Sequence, residues 1–153
     1  MTKSIEVIKQ TRAGFIKLMD GLTIEELNEV PANFKNNIIW NFGHVIITQQ
    51  TLCYLRADLQ PKLDDALITK YKGGSKPESF IDNNELKLLK EYAFSTLETL
   101  ENGINNKVFS GYNSFITGSG IEITGIEDVV KLLMMHDGMH LGYAMAIKKM
   151  ITK

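Results

Sequence analysis

Apolar residues recur every three or four positions along four long stretches of this chain, and polar, Gly- and Pro-containing segments separate them. The spacing predicts a first helix from about Ser4 to Met19, with Ile5, Ile8, Phe15 and Met19 on one stripe and Gly21 as the stop. Thr23-Ile24-Glu25-Glu26 has the form of a capping box and opens a short helix that ends before Pro31. A second long helix covers about Asn37 to Arg56 and carries Trp40, His44, Ile47, Leu52 and Leu55. The segment from Leu63 to Tyr71 is long enough for one or two turns, and residues 72–77 read as a loop.

A third long helix spans about Asn83 to Ile104, where Leu86, Leu89, Ala93, Leu97, Leu100 and Ile104 form a core-facing stripe. Residues 107–124 are rich in Gly, Ser and Asn. They form either a small hairpin around Gly118-Ser119-Gly120 or an irregular loop. The last helix begins near Gly125, with Thr124 as its expected N-cap, and ends among Lys148 and Lys149, which suits the helix dipole. Pro31, Pro61 and Pro77 all fall between these patterns. Four long amphipathic helices predict an all-α four-helix bundle with a short extra helix.

Composition narrows the function classes. At 153 residues, residues 1–153 are expected to form a single domain. The formal charge is −1 and no basic stripe occurs, so nucleic acid is not an expected partner. No apolar run approaches the length that spans a bilayer, and the N-terminus lacks the apolar region of a signal peptide. With Cys53 the single cysteine, no internal disulfide can form, and the chain reads as a cytoplasmic protein without a membrane partner.

The chemistry concentrates in three histidines, the only ones present. His136 and His140 are four apart and so project from one side of a helix. At heptad spacing they fall on a line with Ile126, Val129, Leu133, Tyr143 and Ile147, which reads as the inward seam of a bundle helix. Unpaired in an apolar seam, each would lose about 1–3 kcal/mol of polar satisfaction, which mutual hydrogen bonding, water or a metal can restore. Gly138 and Gly142 each weaken this helix by about 1 kcal/mol relative to Ala, which suggests the close approach of a backbone or ligand. If His44 faces the pair from another helix, three imidazoles surround a divalent metal and leave a fourth position open, as catalytic sites do.

The neighbouring residues are less specific. Cys53 is nine residues from His44, half a turn out of phase, and reads as a core residue. Asp137 reads as a solvated or interhelical charge, with a role as acceptor for an imidazole N–H as the alternative. Tyr143 either sets a hydroxyl near the metal or packs. Trp40 is a core residue or pocket wall, and Met134, Met135, Met139 and Met145 suit packing or an interface. No nucleotide-binding Gly loop, GxSxG or HExxH occurs.

Trp40-Asn41-x-Gly43-His44 early in the second long helix, together with His136-x-x-x-His140-Leu141-Gly142 in the last, resembles the DinB-like (DinB/YfiT-like) family of metal-dependent four-helix bundles over nearly the whole chain. The resemblance implies a homodimer and a divalent metal, nickel or zinc, on His44, His136 and His140. Tyr143 departs from the family, where Gln is common at that place. Relatives with known activity include thiol-dependent S-transferases and mycothiol-dependent isomerases, and the leading expectation is a metal-dependent thiol S-transferase or hydrolase, with a low-molecular-weight thiol as co-substrate implied by the resemblance. The open position would take water or thiol, and the segments 57–80 and 107–124 would shape the pocket. The alternatives are a non-catalytic, stress-related metal-binding or interaction module, and a bundle without metal.

Overall fold

A computed structural model describes residues 2–152. Four long helices form the body: α1 (Thr2–Met19), α3 (Ile38–Cys53), α5 (Asn83–Asn105) and α6 (Ile126–Ile151). Two short helices lie between them, α2 (Ile24–Asn28) and α4 (Asp65–Tyr71), with a 3₁₀ turn at Leu55–Ala57. The caps are those that helix chemistry favours. Thr23 Oγ1 accepts from Glu26 N and Glu26 Oε2 accepts from Thr23 N, which closes the capping box of α2. Asn37, Asp64 and Asp82 cap α3, α4 and α5 through their side chains.

The N-terminus of α6 differs from expectation. Gly125, not Thr124, occupies the N-cap position and provides no side-chain bond. Asp128, in the first turn, instead reaches back to accept from Thr124 N at 3.2 Å and from Thr124 Oγ1 at 2.9 Å. The segment before it is a small antiparallel hairpin, β1 (Phe115–Ile116) with β2 (Glu122–Ile123), in which Phe115 pairs with Ile123.

Two apolar clusters fix the helix directions. Ile5 and Ile8 of α1, Cys53 of α3, Leu97 and Leu100 of α5, and Val129 and Leu133 of α6 pack at one end. Phe15 and Met19, Ile38 to Ile47, Leu86 and Leu89, and Ala144 and Ile147 pack at the other. Thus α1 and α6 run one way, and α3 and α5 run the other. The chain from 54 to 82 must return along the bundle between the parallel helices α3 and α5, and this crossover carries α4. The 106–125 connection stays at the end where Phe109 and Ile123 join the first cluster.

Helix α3 is central. Thirteen of its sixteen residues are buried, Asn41, His44, Gln49 and Gln50 among them. A helix buried all round must satisfy its polar side chains internally. Gln50 Oε1 accepts from Lys62 N at 2.7 Å and Gln49 Nε2 donates to Thr96 O at 3.1 Å. Cys53 is a buried core residue, as expected, at the end of the bundle away from His44, and burial pushes its thiol pKa up.

The expected seam of α6 needs correction. Its buried line runs through Val129, Val130, Leu133, Asp137, Ala144 and Ile147. The buried face is centred between the Leu133–Ile147 row and the Val130–Asp137–Ala144 row, and the latter lies about 100° round the helix from the row of His136 and Tyr143. His136 and His140 are therefore half-buried on the flank that meets α3, and Tyr143 is 38% exposed. Gly138 and Gly142 have nothing within 4 Å of where a Cβ would stand, so neither admits a close neighbour among the described residues. Both are exposed on the outer face of α6, beside Met135 and Met139.

Candidate metal centre

The fold brings His44 of α3 against His136 and His140 of α6. The ring centroids of His44 lie 5.1 Å from His136 and 4.6 Å from His140, and those of His136 and His140 are 4.5 Å apart. One nitrogen from each ring falls within 4.8 Å of the others, and no fourth Cys, Asp or Glu among the described residues joins them.

Hydrogen bonds select which nitrogens converge. His44 Nδ1 is 2.7 Å from the carbonyl oxygen of Tyr71, which can only accept, so Nδ1 carries the proton. His140 Nδ1 is 2.7 Å from Asn41 Oδ1. The orientation of that amide is fixed in turn, because Asn41 Nδ2 donates to the Asn37 carbonyl and to Asn36 Oδ1, each at 2.8 Å. His140 is thereby also protonated on Nδ1. In both rings Nε2 keeps its lone pair and faces the cluster. Thr48 Oγ1 lies 3.3 Å from His44 Nε2 at its edge.

His136 completes the set differently. Its Nδ1 is buried without a hydrogen bond, 3.7 Å from Asp137 Oδ1, which is also unpartnered. Asp137 is an interhelical charge, as one of the two readings held, but it is not solvated. It is fully buried, and its Oδ2 accepts from Arg12 Nε at 3.0 Å.

Arg12 is the residue that sequence reasoning missed. It sits in the α1 stripe between Ile8 and Phe15 and is fully buried. Its Nη1 donates toward Ala93 O at 3.0 Å and toward Gln49 Oε1 and Thr96 Oγ1 at 3.3 Å, and its Nη2 donates to Val45 O at 3.3 Å. The available signal was a cation at a core position of an otherwise apolar stripe. Asn41, also missed, was marked by being polar within a helix buried on every side.

The crossover and α3 build the wall behind His44. Trp40 stacks on the His44 ring at 4.6 Å with planes 10° apart, and its Nε1 donates to Ser75 Oγ at 3.1 Å. Beyond Trp40 lies a cavity of about 850 Å³ under α4 and residues 75–81. Gly73 brings the same loop to the site, since a Cβ there would stand 4.0 Å from His44 Cε1. A smaller cavity of about 280 Å³, lined by Asn36, Asn41, Met139, His140 and Tyr143, lies beside the histidines. The Tyr143 ring meets Phe34 edge-on at 5.2 Å. Segment 57–80 thus borders the site as expected. Segment 107–124 does not: it belongs to the far end of the bundle, and the cavities it lines contain no histidine.

Gly43 has a specific task. A Cβ there would lie 2.5–2.8 Å from the Tyr71 ring, whose own carbonyl orients His44. Alanine would gain about 1 kcal/mol of helix propensity. Forcing a rigid ring aside costs about 1–3 kcal/mol, so the clash is expected to win. Gly43→Ala is therefore expected to lower stability in urea unfolding. It is also expected to weaken zinc retention against a chelator about 10–100-fold, the usual cost of disturbing an outer partner of a ligand.

The electrostatics favour neutral rings. Burial lowers the pKa of His44, and His136 adds to this, while the hydrogen bond to the Tyr71 carbonyl opposes it. Burial, followed by His136 and His44, pushes His140 down to about 3. Neutral imidazole is the form that ligates metals. The folded protein binds fewer protons than the unfolded chain below the ordinary value of 6.5. Stability of the metal-free protein is therefore full above that value and is lost as pH falls from it toward about 3. Thermal melting across this range should show the decline, and His140→Gln should flatten it.

The sequence matches the DinB superfamily over residues 8–144, a span that includes all three histidines. This chain belongs to the DinB superfamily. No curated protein matches it. The all-α bundle, the extra helices and the small hairpin agree with that membership, and no helix among the described residues is long and apolar enough to cross a membrane.

Proposed function

We propose that His44, His136 and His140 hold one divalent cation, nickel or zinc, through their Nε2 atoms, and that the protein is a metal-dependent enzyme of thiol S-transferase or hydrolase type. The observation that carries this reading is the outward pinning of Nδ1 in His44 and His140, which leaves lone pairs on a cluster that no Cys, Asp or Glu among the described residues joins. The donor set fits: three imidazoles suit zinc or nickel, and three protein ligands keep a position for substrate. A bound cation supplies a Lewis acid that polarises a substrate oxygen or sulfur and favours its anionic form near neutral pH.

The chain's own residues do the rest. Asn41 and the Tyr71 carbonyl fix two rings, and Trp40 shields His44 on one face. Tyr143, Asn36 and Met139 frame the small cavity beside His140, where a compact electrophile and a low-molecular-weight thiol would meet. Exposed Met135, Met139, Met145 and Met150 on α6 suit a homodimer interface, and a cytoplasmic setting supplies reduced thiol. The test is turnover of a small electrophile with added thiol. Activity should vanish with chelator and return with zinc or nickel. Full activity after all three histidines are replaced would overturn the reading.

A further inference from the structure

His136 is the exception among the three histidines, because no hydrogen bond fixes its outer nitrogen. Its Nδ1 and the Oδ1 of Asp137 are both buried, both unpartnered, and 3.7 Å apart. Buried polar atoms without partners are uncommon, and each one costs about 1–3 kcal/mol. Here the two are a potential donor and an acceptor side by side. Separated by more than a hydrogen bond's 2.7–3.2 Å or so, they are unpaired in this structure yet complementary in chemistry.

The carboxylate is not free to turn elsewhere. Arg12 Nε holds Oδ2 at 3.0 Å. Arg12 is itself anchored to α3 through Val45 O and Gln49 and to α5 through Ala93 O and Thr96. Four helices thus converge on one guanidinium, and its charge partner presents its remaining oxygen to His136. An imidazole that gives its Nε2 lone pair to a cation carries its proton on Nδ1, and a carboxylate acceptor there orients the ring and raises its basicity.

We propose that Asp137, held in place by Arg12, is the acceptor that orients His136 toward the cation, so that Arg12 acts as a positioning residue for the metal centre from within the core of the bundle. This inference rests on the metal reading above and extends it to residues that touch no cation.

The test begins with the zinc-loaded wild-type protein and needs no variant. Long-range nitrogen–proton correlation spectra should place the His136 proton on Nδ1, and a proton on Nε2 would overturn the proposal. Zinc affinity is then measured by competition with a chromophoric chelator. Asp137→Asn cannot accept from both Arg12 and His136, so its affinity should fall about 10–100-fold. The joint replacement Arg12→Met with Asp137→Leu removes the charge pair without stranding either charge. It should fold and show a loss of the same size. Thr96→Val, which removes one Arg12 partner and leaves Asp137 alone, should lower the melting temperature but keep wild-type affinity. Wild-type affinity in both Asp137 variants, or an equal loss in Thr96→Val, would overturn the proposal. If the wild-type protein binds no zinc, the metal reading itself fails, which is a separate outcome.

Discussion

Arg12→Leu is expected to lower the unfolding free energy by about 3–5 kcal/mol, the cost of leaving one member of a buried ion pair alone. Both side chains of the Arg12–Asp137 pair are fully shielded from solvent. Leucine fills part of the volume, but it leaves the Asp137 carboxylate without its cation and Gln49 Oε1 without its donor, and it removes the additional bonds that Thr96 and the helical carbonyls of Val45 and Ala93 accept. Because domains of this size are stable by about 5–15 kcal/mol, the variant should lie close to the limit of folding. Replacing Arg12 and Asp137 together by apolar residues should recover much of the loss, since removing a buried pair is often neutral where breaking it is not. Urea unfolding of the two proteins measures the difference directly. A change within about 1 kcal/mol for Arg12→Leu would mean that the network is not holding the helices.

The second large effect concerns the histidines. Zinc that binds only the folded protein stabilises it by about 4 kcal/mol at a thousandfold excess over Kd. Replacing His44, His136 or His140 by alanine should weaken zinc binding beyond the roughly 10–100-fold typical of outer-shell changes, because a ligand is lost outright. The shift in melting temperature on adding zinc should then collapse in each variant. The metal-free stability of His140→Ala, by contrast, should hold up better toward low pH, since the ring whose pKa burial pushes to about 3 is gone. Equal zinc-induced shifts in wild type and all three variants would place the cation elsewhere.

Much of this architecture was legible in the sequence because it depends on local rules. The Thr23–Glu26 box, the stripe from Leu86 to Leu100 and the core position of Cys53 follow from residue type and spacing, and the structure reproduces them. What failed had non-local causes. The expected heptad row put Tyr143 on the seam and left Asp137 off it, because a carboxylate is not recognised as a buried position until its partner Arg12, 125 residues away, is known. Arg12 itself was hidden because a cation in an apolar stripe has no meaning until its acceptors from three other helices are known. The crossover from 54 to 82 was not readable either, since helix direction depends on which ends pack together. That crossover is why residues 71–75, rather than 107–124, border His44.

The histidine that spacing could not place was His44, and its arrival beside His136 and His140 joins two distant motifs into one candidate centre. Diffraction from zinc-loaded crystals, collected at the metal absorption edge, tests that claim most directly. The expected result is one anomalous peak per chain, about 2.0–2.1 Å from Nε2 of His44, His136 and His140, with a coordination position not filled by protein. A peak held by other residues, or zinc-soaked crystals with no peak among the three rings, would contradict it.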